Sequence, residues 1–154
     1  MKEIEGNLVE ITLNGEFDVI GQGCNCFNTQ NSGIAKSIRD IWSEVYEVDC
    51  QTKKGDYNKL GTVSIYHTKT RFDKPLDIIN CYTQYNYGRE VGKIYVNYDA
   101  VAMCMDKINY FYSGKRLGLP LIGCGLAGGD WNIVKDIIKS RLTDVDVTIV
   151  KLKQ

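Results

Sequence analysis

Gly123, Gly125, Gly128 and Gly129 fall within seven residues, directly before Asp130. Glycine lets a backbone approach a ligand closely and adopt positive φ. Beyond Asp130, the apolar residues Trp131, Val134, Ile138 and Leu142 repeat at helical spacing. A helix start presents unpaired N–H groups and the positive end of its dipole, a place for a phosphate or pyrophosphate. The same residues also describe a tight strand-to-helix turn, with Asp130 as the N-cap. This stretch alone leaves both readings open. It is not a Walker loop, because no Gly-Lys-Ser/Thr closes it. Gly123, Gly125 and Gly128 have G-x-G-x-x-G spacing, but they lie late in the chain and no acidic ribose ligand follows on a next strand.

Other reactive residue types are sparse. His67 is the only histidine and falls at the end of a predicted strand, where a surface or packing role is favoured over general-base work. Tyr82, Tyr85, Tyr87 and Arg89 make an aromatic and basic loop. It either covers a ligand or pairs with a terminal phosphate, or, as is favoured for any single residue, forms a solvated loop with its tyrosines packed at the base. No side chain has an obvious activating partner for covalent catalysis. Cys24 and Cys26 form C-x-C with no second pair nearby, so no metal site and no cofactor are expected.

The elements that position these residues can be read in order. Lys2 to Glu5 is a short strand, Asn14-Gly15 a turn, and Phe17 to Gly21 a second strand. A turn rich in small and polar residues spans 22–33, where Ser32 can cap a helix with Ile34, Ile38, Ile41 or Trp42, and Val45 buried. Cys50 to Lys59 reads as a polar loop. Gly61 to His67 and Asp77 to Thr83 read as strands, separated by a turn over 68–74 and followed by a loop over 84–93. Tyr95 to Tyr112 is a predicted helix with Val101, Cys104, Ile108 and Phe111 or Tyr112 on one side. Leu117, Leu119, Leu121 and Ile122 form a dense apolar strand, although Pro120 argues against a central position. Val145 to Leu152 is the last strand, and Trp131 is expected in the core.

Strands interleaved with helices imply an α/β domain with a mostly parallel sheet and helices on both faces. Ligands in such sheets sit at the carboxyl ends of strands, where strand order reverses. The turns at 21–33 and 123–130 both belong at that edge, so a ligand gripped from two sides is expected.

With 154 residues, the chain suits a single domain over 1–154. Lys plus Arg and Asp plus Glu number 19 each, which removes the broad attraction behind non-specific nucleic-acid binding. No apolar run reaches membrane-spanning length, and the start lacks a signal peptide's apolar core. Six scattered cysteines then read as reduced, mostly core residues of a cytoplasmic protein.

Over essentially its whole length the chain resembles a macro domain, the ADP-ribose-binding family. The resemblance rests on Gly6-Asn7-Leu8 after the first strand and Gly23-Cys24-Asn25 leading to Ser32-Gly33-Ile34-Ala35. Late in the chain it rests on Pro120-Leu121-Ile122-Gly123-Cys124-Gly125-Leu126. The run from Gly125 to Trp131 is similar to the branch described as ADP-ribose 1''-phosphate phosphatases, including phage members. The resemblance implies a three-layer α/β/α sandwich around a mixed, mostly parallel sheet. It places Gly33 and Ile34 on one side of the pyrophosphate, with Gly123, Cys124, Gly125, Leu126 and Ala127 on the other. Asn25 would reach the distal ribose, Asn7 and Leu8 would sit at the adenine, and Gly23 and Ser32 belong to the ligand-binding set. The family's usual Asp is Asn7 here, which still accepts a hydrogen bond but without charge.

Asp130 is then the first acid/base candidate, alongside its N-cap role. Asn25 and Asn28 would orient water or ribose hydroxyls, or simply form the turn. The branch that frees ADP-ribose from glutamate uses a Lys and an Asp at positions read here as Gln84 and Ala127, so that route is disfavoured. The resemblance thus implies a hydrolase acting on ADP-ribose 1''-phosphate or another ADP-ribose derivative. Its alternative is a module that binds ADP-ribose or related NAD-derived nucleotides without turnover.

Overall fold

Six strands make the sheet of the computed structural model, which describes residues 1–152. The strands are β1 (Lys2–Gly6), β2 (Val19–Cys24), β3 (Val63–Lys69), β4 (Pro75–Tyr82), β5 (Arg116–Leu119) and β6 (Asp146–Leu152). Their spatial order is β1-β6-β5-β2-β4-β3, all parallel except β3, which pairs antiparallel with β4. The α-helices are α1 (Leu8–Leu13), α2 (Gly33–Ile41), α3 (Glu44–Cys50), α4 (Tyr98–Phe111) and α5 (Trp131–Arg141).

Side chains alternate across a strand, so each central strand feeds two cores. Val19, Ile79, Leu117 and Ile149 pack with Val101, Ile108, Val134 and Ile138 of α4 and α5. Their sequence neighbours Ile20, Ile78 and Val150 pack with Leu8, Val9, Ile38 and Val45 of α1, α2 and α3. The result is the expected three-layer α/β/α sandwich with a mixed, mostly parallel sheet.

The chain departs from the sequence reading where local chemistry wins over pattern. β5 is central, yet Pro120 does not disturb it, because the strand ends at Leu119 and leaves Leu121 and Ile122 in the following loop. Leu8–Leu13 is a helix, started by the Asn7 side chain accepting from the Glu10 N–H at 3.2 Å. The helical stretch after Ser32 breaks at Trp42, which is buried, whereas Ile41 is half exposed. Residues 44–50, in part read as loop, form α3. α4 starts at Tyr98 rather than Tyr95, because Asn97 caps it by accepting from the Ala100 N–H at 2.9 Å. Phe111 is exposed at its end, while Tyr112 packs on the core and donates to Asp77. Trp131 is only partly buried against that core. Among the described residues, no helix is long and apolar enough to cross a membrane.

All six cysteines are reduced, and Cys50 at the end of α3 is the exposed one.

Candidate functional site

The strand order reverses between β2 and β5. After β2 the chain runs to the edge strand β3 and returns through β4 beside β2, whereas β5 and β6 lie on its other side. The carboxyl ends of these adjacent parallel strands lead to residues 24–33 and 120–130, so the topology brings the two bends together. A cleft of about 380 Å³ opens there.

The first bend contributes Gly23, Asn25, Ser32, Gly33 and Ile34 to its lining. Ser32 occupies the N-cap of α2 but makes no side-chain capping bond, contrary to the expectation that it caps the helix. The N–H groups of Gly33, Ile34 and Ala35, the first turn of α2, have no partner among the described residues. Gly33 sits at φ +60° with open space where a Cβ would be. That backbone conformation favours glycine.

The second bend contributes Gly123, Gly125, Leu126 and Ala127. Its fold is closed by Cys124 N–H to Leu121 O at 3.1 Å, Gly128 N–H to Gly125 O at 3.0 Å and Gly129 N–H to Gly123 O at 2.8 Å. These bonds leave the N–H groups of Gly125, Leu126 and Ala127 without a partner among the described residues. A Cβ at Gly129 would collide with the Gly123 carbonyl oxygen, so glycine is required for the bend to close. Gly125 faces open space.

The remaining candidates fall elsewhere. Cys124 lies in the second bend but outside the cleft lining, with its thiol directed to the Ile122 carbonyl at 3.3 Å. Burial, helped by the nearby Asp130 charge, pushes that thiol up to about 11. Asp130 is also outside the lining. It caps α5 through Oδ1, which accepts from the Asn132 N–H at 2.9 Å, and Oδ2 has no partner among the described residues. Asn7 caps α1, and Leu8 is buried against the sheet, so neither lines the cleft. Asn25 does line it, but its amide is engaged locally. Nδ2 donates to Thr29 Oγ1 at 2.7 Å, and Oδ1 accepts from the Phe27 N–H at 2.8 Å. Asn28 is structural, at φ +57° with Oδ1 accepting from Lys59 Nζ at 2.7 Å. His67 is exposed on the edge strand β3 and pairs with Asp77 at 2.7 Å.

Two features carry no sequence signal. Gln30 lines the cleft and is 2% exposed, with its amide donating to Asp49 Oδ2 at 3.1 Å. Asp49 is fully buried and also accepts from the Tyr82 hydroxyl at 2.7 Å. Burial raises its carboxyl above the ordinary range, opposed by these hydrogen bonds and by Lys59. Gln22 and Asn80 complete this buried network. Its members lie far apart in sequence and read as loop or strand residues.

Among the described residues, no group of three or more His, Cys, Asp or Glu side chains is placed to hold a metal. What the cleft can do is hold an anion, with unpaired amides from both bends and no carboxylate in its lining.

No family model matches the chain. It is 32% identical over 155 residues to an uncharacterized 17.5 kDa protein from the tk–vs intergenic region of Enterobacteria phage T4, covering 97% of this chain and 95% of that protein. A protein from Bacteroides thetaiotaomicron has a similar structure, with a TM-score of 0.78 at 24% identity over 98% of this chain and 99% of that one. The macrodomain of Thermus aquaticus DarG matches with a TM-score of 0.68 at 16% identity over 99% and 97%. Thermosipho africanus DarTG in complex with ADP-ribose matches with a TM-score of 0.68 at 16% identity over 92% of this chain and 39% of that one. The chain therefore belongs to the same family as the phage T4 protein and has the macrodomain fold.

Proposed function

We propose that the cleft binds ADP-ribose or its 1''-phosphate. The pyrophosphate lies between the amides of Gly33–Ala35 and those of Gly125–Ala127. The carrying observation is that these two sets of unpaired N–H groups belong to the lining of one cleft. A similar structure holds ADP-ribose, which supports the choice of nucleotide. Calorimetry with ADP-ribose tests this reading. Saturable binding is expected, and its absence would end the proposal.

The hydrolytic reading is removal of the 1''-phosphate. It is favoured by one observation: Asp130 keeps a carboxylate oxygen free beside the second bend after capping α5. Transfer of a phosphoryl group needs charge stabilisation and help for water or the leaving oxygen. The bend amides supply the first. Asp130 supplies the second, with Asn25 orienting water once its turn contacts are exchanged. Phosphate release from ADP-ribose 1''-phosphate, lost in Asp130→Ala with ADP-ribose binding retained, is the expected result. Equal release by both proteins would remove Asp130 from the reaction. No release by the wild type would leave a binding module that does not turn this ligand over.

A further inference from the structure

Of all the side chains lining the cleft, only Arg89 is charged. It is exposed, on the loop after β4, and makes no ion pair or side-chain hydrogen bond among the described residues. Arg71 is likewise exposed without a partner among the described residues, but it sits on the turn between β3 and β4, outside the cleft lining, and the other arginines are held. Arg116 is held by Asp18, Arg141 by Asp106, and Arg39 by Asn31 with its guanidinium 3.8 Å from the Tyr46 ring centroid.

The loop that carries Arg89 is anchored beside the first bend. Cys26 N–H donates to Tyr85 O at 2.9 Å, and the Tyr85 hydroxyl donates to Gly55 O at 2.9 Å. The Phe27 and Tyr87 rings meet edge-on at 6.4 Å. Gln84 bridges to Val96 on the loop's other side. These contacts anchor the loop beside the first bend, and Arg89 lines the same cleft as the bend amides but on an element separate from both bends.

We propose that Arg89 is a specificity-determining residue that selects ligands bearing a phosphomonoester in addition to the pyrophosphate. This rests on the cleft binding an ADP-ribose-type nucleotide. A guanidinium presents a planar fork of donors that matches phosphate oxygens bidentately. No carboxylate in the lining opposes it. A ligand with only a pyrophosphate satisfies the bends and leaves Arg89 in water.

The test compares ADP-ribose with ADP-ribose 1''-phosphate on wild type, Arg89→Gln and Arg89→Lys, by calorimetry with phosphate release followed in parallel to correct for turnover. Wild type is expected to prefer the phosphorylated ligand by about 10-fold, as suits one charge-assisted contact at an exposed site. Arg89→Gln is expected to lose this preference while its ADP-ribose affinity stays within about twofold, and Arg89→Lys to retain part of it. Raised salt is expected to shrink the preference. A wild type that binds both ligands equally overturns the inference and leaves the binding proposal standing. Loss of affinity for both ligands in Arg89→Gln also overturns it, since Arg89 would then serve the pyrophosphate. Failure of wild type to bind either ligand removes both proposals. Arg89 has no structural partner, so the variants are expected to fold.

Discussion

The two bends that face each other across the cleft are held in different ways. The first, 24–33, is tied to its neighbours at Cys26 but otherwise hangs on side chains: Gln30 reaches down to Asp49, Asn25 folds back on Thr29, and Asn28 is gripped by Lys59. The second, 120–130, is held by backbone, through four bonds of its own, two from Tyr95 and Val96 N–H to the Ala127 carbonyl, and glycines that allow them. Each leaves a row of amides unpaired. One ligand-facing geometry thus has two supports, one encoded in buried polar residues and one in the absence of side chains.

The largest expected effect is at the backbone-held bend. Gly129→Ala drives a Cβ into the Gly123 carbonyl, so the backbone itself must move. A loss of about 3 kcal/mol or more is expected in urea unfolding, together with loss of ligand binding. Wild-type stability in this variant would show that the bend adapts.

Next comes the suspended bend. Asp49→Ala removes the shared acceptor of the Tyr82 hydroxyl and the Gln30 amide, which keep only Ser64 and Thr52, and Asn80, with an expected cost of about 1–2 kcal/mol for the two lost buried bonds. If the contrast holds, exchange of the Cys26 and Phe27 amides accelerates in this variant while the Cys124, Gly128 and Gly129 amides stay protected. Equal acceleration of both would erase the distinction.

Bulk at the open glycines separates stability from binding. Gly125→Leu is expected to leave unfolding nearly unchanged, and Gly33→Leu to cost about 1–2 kcal/mol for its positive φ. Both are expected to abolish ADP-ribose binding. Retained affinity in both variants would contradict the placement of the ligand between the bends.

The smallest effect concerns what joins the two halves. Asp18, just before β2, accepts from the Arg116 guanidinium at 3.0 Å and from its backbone N–H at 2.8 Å, linking the strands that carry the two bends. Arg116 holds the Asp18 carboxyl below its ordinary value. The stability this adds is therefore present above pH of about 4, the unfolded value, and is lost as pH falls through the lower folded value. Asp18→Asn is expected to cost about 0.5–1 kcal/mol at neutral pH, as for other partly exposed pairs, and nothing once acid has protonated the wild type. A difference that persists in acid would refute that account.

The same contrast explains what could be read from the sequence. The second bend is contiguous: glycines, Asp130 and the helix repeat stand side by side, so its turn and cap are legible in order. The first bend shows its Gly and Asn content but not its support, because Gln30, Asp49, Asn80 and Tyr82 meet only after β4 and α3 are packed. α1 was hidden for another reason. Leu-Val-Glu-Ile-Thr-Leu is rich in β-branched residues, and only the Asn7 cap and burial of Leu8, Val9 and Thr12 make it helical. Pro120 looked incompatible with a central strand because the pattern did not show that pairing stops one residue earlier.

The exposed thiol at the end of α3 has a practical use. Alkylation requires thiolate. Burial holds the Cys24 thiol well above its ordinary range, the Cys104 hydrogen bond together with burial does the same for Cys81, and burial pushes Cys124 up to about 11. A maleimide dye at neutral pH is therefore directed to Cys50, next in sequence to the carboxylate from which the first bend hangs. The native chain thus carries its own attachment point for a fluorescent reporter of nucleotide capture.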